Sequence, residues 1–247
     1  EMKRLQHDNY NYVASEILPI LLEVIDSSSL LPKHFQYLET LSSWDYFNNP
    51  DERAPSIFEM WQDHIYDFMW DEFDTISVAI DKPNTYVTHY LIRNFDSLPF
   101  YDRLETNEVV EDRQQLITSA YLSAIDSLDS WKLVNDEDYA WAKFKNTSVN
   151  HLLGLAPFNT DNINIGGNHS IVNAASKNHG PSWRMVVELD PKGVVGHGVY
   201  PGSQSGNPGN PLFGHMIDEW ADGTYFPLKL DSLSNQEISY TVSFQSK

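Results

Sequence analysis

The chain has 247 residues, of which 41% are hydrophobic and 13% aromatic, so it can bury one large core or two smaller ones. Acidic residues outnumber basic ones by 35 to 16, and the formal charge of −19 disfavours binding to nucleic acids and to anionic membranes. The absence of cysteine excludes disulfides, thiolate metal sites and a cysteine nucleophile. No apolar run approaches the length of a membrane span.

Helical periodicity of the apolar residues characterises the first two-thirds of the chain. The first predicted helix covers Val13 to Val24 and contains Pro19, which is expected to kink it. A second, shorter helix is predicted over Phe35 to Trp44. The opening residues, Glu1 to Arg4, do not resemble a signal peptide, and we expect the chain to begin inside a longer polypeptide.

Three further helices are predicted before residue 140. One is expected to start after Ser56, because Glu59 follows at the spacing of a capping box. Another is predicted over Thr85 to Phe95, and a long one over Val109 to Leu128. We therefore expect a helical region over residues 1–140.

The pattern changes after about Trp141, where glycine, asparagine and proline become frequent and the periodicity shifts towards two. Trp183 to Leu189 and Val194 to Tyr200 are predicted strands, joined by the turn sequence Asp190 to Gly193. Residues 141–247 are thus predicted to form a mixed region of strands and loops.

The sequence pattern near the end of the chain predicts a loop, a short helix and a last strand. Pro201 to Pro211 is too rich in glycine, proline and asparagine for regular structure. A short helix is predicted over Met216 to Ala221 and a last strand over Ile238 to Phe244. Helices followed by strands indicate the α+β class.

Local motifs predict no self-contained catalytic or metal site. Asp161 to Asn164 hints at a calcium loop, but Ile163 and Ile165 fall where that loop needs oxygen ligands. The histidines are scattered, and none forms the paired pattern of a zinc protease. No metal ligand is therefore predicted in this chain.

Four segments, however, resemble the penicillin acylase family of N-terminal-nucleophile hydrolases. The most specific match is a Pro-Gly-x-Gln-Ser-Gly-Asn-Pro run. The segments are Gly166 to Ser176, Ser182 to Leu189, Tyr200 to Pro208 and Trp220 to Leu228. Looser matches, such as Gln6-His7-Asp8 and Trp44-Asp45, extend the resemblance over nearly the whole chain, as the C-terminal part of the large (β) subunit.

The resemblance implies a fold and a reaction. The strands would belong to an αββα sandwich that is completed by upstream sequence. A precursor would cleave itself to expose an N-terminal serine, whose α-amine acts as base while the serine attacks a linear amide. Acyl side chains of β-lactams and acyl-homoserine lactones are typical substrates. Because residue 1 is Glu1, the serine and the oxyanion asparagine are expected upstream, and the isolated chain is predicted to be inactive.

The resemblance also implies partners and a location. The partners would be the remainder of the large subunit, the small subunit and a small amide substrate, with no nucleic acid and no membrane. No cofactor is expected in this chain, although calcium is possible in the complete enzyme. The protein would be periplasmic or secreted in a bacterium.

Candidate supporting residues follow from departures from the family pattern. Many relatives carry acids where this chain has Asn168 and Ser170, and in some relatives an acid there orients a histidine near the nucleophile. Asn168, His169 and Ser170 are therefore either supports of the catalytic residues or a turn that closes the subunit. Arg184 is expected to pair with a buried carboxylate, with a substrate contact as the alternative.

A glycine- and proline-rich loop is expected to be structural rather than a ligand site. Its residues are Gln204, Ser205, Gly206, Asn207 and Pro208. Two alternatives to the enzyme remain at this stage. The chain could be a non-catalytic helical binding module derived from the acylase C-terminus, or a truncated chain with apolar surface exposed where its partner packs.

Overall fold

The architecture is that of an α+β protein, as predicted. The computed structural model describes residues 1–106, 108–136, 138–202, 205–229 and 242–245. Within these ranges there are eight α-helices and one three-stranded antiparallel sheet. The helices are α1 (Met2–Leu5), α2 (Tyr12–Val24), α3 (Pro32–Ser42), α4 (Ala54–Met69), α5 (Thr85–Asn94), α6 (Arg113–Val134), α7 (Trp141–Lys145) and α8 (Ile217–Asp222). The strands are β1 (Arg184–Asp190), β2 (Gly193–Val199) and β3 (Phe226–Leu228). No helix in these ranges is long and apolar enough to cross a membrane.

Helix α2 confirms the first predicted helix. The side chain of Asn11 caps it by accepting a hydrogen bond of 2.9 Å from the amide of Ala14. The buried face includes Ile17 and Leu21, which share one side of the helix. Pro19 lies on the exposed side, and the helix continues through it. The backbone hydrogen bond that proline cannot donate is therefore lost on the solvent side of the helix and not in the core.

Helix α4 exists as predicted, but its predicted capping box is wrong. The helix begins at Ala54, with Pro55 in its first turn, where a fixed φ favours helix initiation. Ser56 is consequently inside the helix and buried, and its hydroxyl donates a 2.7 Å hydrogen bond to the carbonyl of Tyr139. Glu59 is thus free to make a tertiary contact instead of a cap.

The remaining predicted helices are also present, with shifted ends. Helix α3, which corresponds to the helix predicted over Phe35 to Trp44, buries Tyr37 and leaves Phe35 exposed. Helix α6 starts later than predicted, because Asp112 and Gln115 form a reciprocal cap there. The long contact between α4 and α6 is centred on Trp61, whose Nε1 donates to the carbonyl of Ile117 over 3.1 Å.

Buried apolar residues form two separate clusters. The larger one joins helices α2 to α6, with Trp61 and Tyr121 in edge-to-face contact at its centre. The smaller one lies in the second half of the chain and includes Ile165, Val199 and Trp220. Within the Gly166–Ser176 segment, Ala175 belongs to the smaller cluster and Asn168 contacts Glu59 of α4, so the segment links the two parts of the fold.

The sheet confirms the predicted hairpin and adds one strand. Strands β1 and β2 pair from Arg184 opposite Val199 to Asp190 opposite Gly193. Strand β3 pairs with β2 and was not predicted, since three residues give too little periodicity. The predicted strand over Ile238 to Phe244 lies largely outside the described residues, and residues 242–244 are not in a strand.

Candidate functional site

A groove of about 700 Å³ lies between helices α2, α4 and α5. Its walls are largely aromatic and aliphatic, and one end is bordered by His169 and Ser170. The main wall residues are Tyr12, Ile17, Phe58, Tyr66, Tyr86 and Tyr90. This volume falls in the range of small-molecule sites. The groove therefore brings two of the predicted supporting residues to a cavity formed by the helical region.

The carboxyl group of Glu59 connects this groove to the Gly166–Ser170 turn. Asn168 is buried, and its Nδ2 donates a 2.7 Å hydrogen bond to Oε1 of Glu59. Burial, followed by the charge of the nearby Asp63, raises the pKa of Glu59 to about 8. At neutral pH this carboxyl group is mostly protonated, so Asn168 of the turn is hydrogen-bonded to an uncharged acid.

Asp63 lies one helical turn after Glu59 and also lines the groove. Desolvation raises its pKa to about 6, and the charge of Asp67 contributes in the same direction. Neither Glu59 nor Asp63 forms an ion pair within the described ranges of the chain. Asp63 is therefore the main unpaired negative charge of the groove at neutral pH.

A chain of hydrogen bonds runs from Glu59 to His169. Oδ1 of Asn168 accepts from the backbone amide of His169 at 2.7 Å and lies 3.0 Å from Nδ1 of the same ring. Because Asn168 Oδ1 can only accept, Nδ1 of His169 must carry the hydrogen. In a neutral ring this leaves Nε2 as the acceptor, at the exposed edge of the groove.

The opposite wall contributes neutralised or uncharged polar groups. Nε2 of His89 donates to Oε1 of Gln62, and burial, followed by the charge of Arg93, lowers the pKa of His89 to about 4. Arg93 itself pairs with Glu16 at 3.2 Å. This side of the groove therefore offers no unpaired charge within the described residues.

The side chain of Lys145 binds the backbone of Gly166 and Gly167, a role that the sequence analysis did not predict. Its Nζ donates to the carbonyls of Gly166, Gly167 and Ala175 at 2.8, 3.2 and 2.8 Å. Burial lowers its pKa to about 7. Gly167 has φ +83°, and a Cβ there would lie 2.1 Å from the carbonyl oxygen of Asn173. The turn therefore requires glycine at this position.

Arg184 fixes the other side of the turn without the expected carboxylate. Its guanidinium is buried and donates to the carbonyl of Trp220 and, over 2.6 Å, to Oδ1 of Asn173. Asn173 in turn donates to Oδ1 of Asn9. Burial lowers the pKa of Arg184 to about 10. Amide and carbonyl oxygens thus replace the ion pair that the sequence suggested, within the described part of the chain.

The glycine- and proline-rich loop lies apart from the groove. The backbone amide of Asn207 donates to Oγ of Ser205, and Oδ1 of Asn207 accepts from the amide of Gly209. Gly206 is exposed and Pro208 is partly exposed. Gln204 lies outside the described residues. These two hydrogen bonds join residues that are close in sequence, and the structural role of the loop stays a prediction.

The described ranges do not bring together three or more histidine, aspartate or glutamate side chains that could hold a metal ion. Ile163 is 5% exposed and Ile165 fully buried. Both side chains pack in the second apolar cluster, so the segment from Asp161 does not fit a calcium ion.

Comparison with protein families gives a match over most of the chain. A family model described as penicillin amidase matches residues 1–236, which include every groove residue and the turn. A search of curated proteins finds no match.

Proposed function

The chain belongs to the penicillin amidase family, and on this premise we propose that it is part of an acylase-type amidohydrolase that cleaves linear amides. The match over residues 1–236 is the observation that carries the proposal. The chain would be the C-terminal part of the large subunit. Acyl side chains of β-lactams and acyl-homoserine lactones are the substrate classes that we propose.

The proposed reaction uses a serine that precedes this sequence. That serine is exposed by autoproteolysis of a precursor and attacks the amide carbonyl, with its own α-amine as base. The amine part of the substrate leaves, and water then hydrolyses the acyl-enzyme to release the carboxylic acid and free the serine. An upstream asparagine and backbone amides would stabilise the oxyanion. By itself, the chain described here would be inactive.

In this proposal the Gly166–Ser170 turn supports the reacting groups. Many relatives carry an acid on the turn, whereas here Glu59 contacts the turn from helix α4 through Asn168. The buried amide of Asn168 also orients His169. Glu59 would thus replace the missing acid. Because Glu59 is mostly protonated at neutral pH, it would act by holding Asn168 in place and not by its charge.

The exposed hairpin supports the proposal that this sheet is completed by other parts of the precursor. Met185, Val187 and Leu189 on β1 are 45%, 42% and 80% exposed, and Val194 and Val195 on β2 are 45% and 50% exposed. Apolar strands of this kind are usually covered on at least one face. The remainder of the large subunit and the small subunit would supply the missing layers of an αββα sandwich.

Several parts of the proposal rest on the family alone. Any calcium ion would be held by upstream residues, since the Asp161–Ile165 segment does not fit one. A periplasmic or secreted location is likewise proposed from family membership alone.

A non-catalytic binding module is the second candidate. The groove favours it, because a cavity of about 700 Å³, lined mainly by helices α2, α4 and α5, could hold a ligand without any nucleophile. The two candidates differ in one chemical requirement, the N-terminal serine.

Intact-mass analysis of the full gene product from its native compartment tests the proposal. We expect two fragments, of which the larger begins with serine and ends with this sequence. Hydrolysis of linear amides should be lost when that serine is replaced by alanine, while the thermal melt of the variant is retained. A single unprocessed chain without amidase activity would refute the enzyme and favour the binding module.

A further inference from the structure

We propose that the groove between α2, α4 and α5 binds an organic ammonium ion, namely a primary amine with an aromatic or aliphatic body. This inference goes beyond the proposed hydrolysis and does not depend on it. It rests on the arrangement of two carboxyl groups, aromatic walls and the absence of an unpaired cation in the described lining.

Two carboxyl groups face the groove from one helix without a basic partner. Glu59 and Asp63 are one turn apart on α4, where like charges repel each other. Oε1 of Glu59 accepts from Asn168, whereas its Oε2 has no hydrogen-bond partner in the described parts of the chain. An ammonium group offers three donors, which suit this oxygen together with the carboxylate of Asp63.

The other charged groups around the groove leave its field negative. From α2, Glu16 is paired with Arg93 of α5, so their charges offset one another. His89 of α5 is neutral at physiological pH, because burial lowers its pKa to about 4. His169 stands at the exposed rim, and Asp67 adds a further negative charge along α4. An anionic ligand would therefore meet repulsion from Asp63.

The walls suit the apolar body of such a ligand. Four tyrosine rings border the groove, and Tyr12, Tyr86 and Tyr90 are 66%, 78% and 52% exposed. The negative faces of aromatic rings attract cations. Phe58 and Ile17 supply apolar surface deeper in the groove. A bare divalent ion fits less well, because the described residues do not gather three metal ligands here.

Binding of an ammonium ion should be coupled to the release of a proton from the groove. The pKa values of Glu59 and Asp63 are raised to about 8 and about 6, so Glu59 holds a proton at pH 7. A bound ammonium ion stabilises both ionised carboxylates and lowers their pKa values. Binding at neutral pH should therefore release a proton from Glu59 and should strengthen as pH rises from about 5 to about 8.

Calorimetric titration of the full chain with phenethylammonium chloride tests the site, with phenethyl alcohol as a neutral ligand of similar size. We expect the ammonium ion to bind at least about tenfold more tightly than the alcohol. Glu59→Gln and Asp63→Asn should each weaken it by about tenfold. Glu39→Gln, which changes an exposed acid on α3, should leave the affinity unchanged.

A second measurement separates proton release from simple charge attraction. The binding enthalpy at pH 7 should differ between phosphate and Tris buffers by an amount that reports the released proton, and this difference should vanish in Glu59→Gln. Equal affinity for the alcohol, no saturable binding, or a buffer-independent enthalpy in the unaltered protein would each overturn the proposal. Asp63 is more exposed than Glu59, so Asp63→Asn tests the site even where a change at Glu59 impairs folding.

Discussion

The contact between helix α4 and the turn can be tested by converting its donor into a second acid. In Asn168→Asp, the Nδ2 that donates to Glu59 over 2.7 Å becomes a carboxyl oxygen. Two carboxyl groups at this distance cannot both ionise, so one must keep a proton. The burial that raises the pKa of Glu59 to about 8 acts on the introduced aspartate as well.

The expected loss follows from the burial of the two groups. Replacing a buried neutral amide with a carboxyl group that must either stay protonated or lose its hydration costs about 1–3 kcal/mol. For a protein of this size that corresponds to a melting temperature lower by roughly 2–12 °C. The loss should be larger at about pH 8 than at about pH 5, because both carboxyl groups hold protons at the lower pH.

Thermal melts followed by circular dichroism provide the assay. Asn164→Asp is the matched control, since it makes the same change at an exposed position nearby. In the double variant Asn168→Asp with Glu59→Gln, the glutamine amide can donate to the new carboxylate, so much of the loss should be recovered. An Asn168→Asp protein as stable as the unaltered chain, or no recovery in the double variant, would refute the assigned contact.

Three further predictions concern the same network. Because Glu59 holds a proton in the folded chain while it is ionised in the unfolded chain, its contribution to the free energy of unfolding should fall between pH 4.5 and about 8, and urea titrations of Glu59→Gln should lack this fall. Lys145→Met should lower that free energy by roughly 3 kcal/mol in urea titrations by leaving buried carbonyls unpaired, whereas Lys143→Met should change it little. Arg184→Lys should cost about 2 kcal/mol in the same titrations, because an ammonium group cannot reproduce both guanidinium hydrogen bonds; an unchanged midpoint would contradict this assignment.

Hydrophobic periodicity was sufficient to predict the helices and strands that are long or that are joined by a clear turn sequence. Helix α2 and the β1–β2 hairpin are present where apolar spacing and the Asp190–Gly193 turn predict them. The start of α4 was misplaced, because Ser56 and Glu59 satisfy a capping-box pattern while both side chains are used in tertiary contacts. Sequence spacing cannot distinguish these uses, since the competing partners are distant in the chain.

The site was only partly predictable for the same reason. Asn168 and His169 were singled out by resemblance, but their acidic partner Glu59 is 109 residues away in sequence. Lys145, whose buried side chain holds the turn, gave no local signal, because its partners are backbone carbonyls. One hint was present: Glu59 lies among apolar residues of α4, where an acid is costly unless it is paired or protonated.

The position of the Gly166–Ser170 turn is determined by long-range contacts from separate segments rather than by the turn itself. Lys145 holds its backbone carbonyls, and Glu59 holds Asn168. Arg184 acts through Asn173, whose carbonyl accepts from the amide of Asn168. Because each contact is buried or partly buried, displacing the turn would leave polar groups unpaired in all three places. The orientation of His169 is therefore a property of the assembled fold, and the proposed supporting role would require this rigidity.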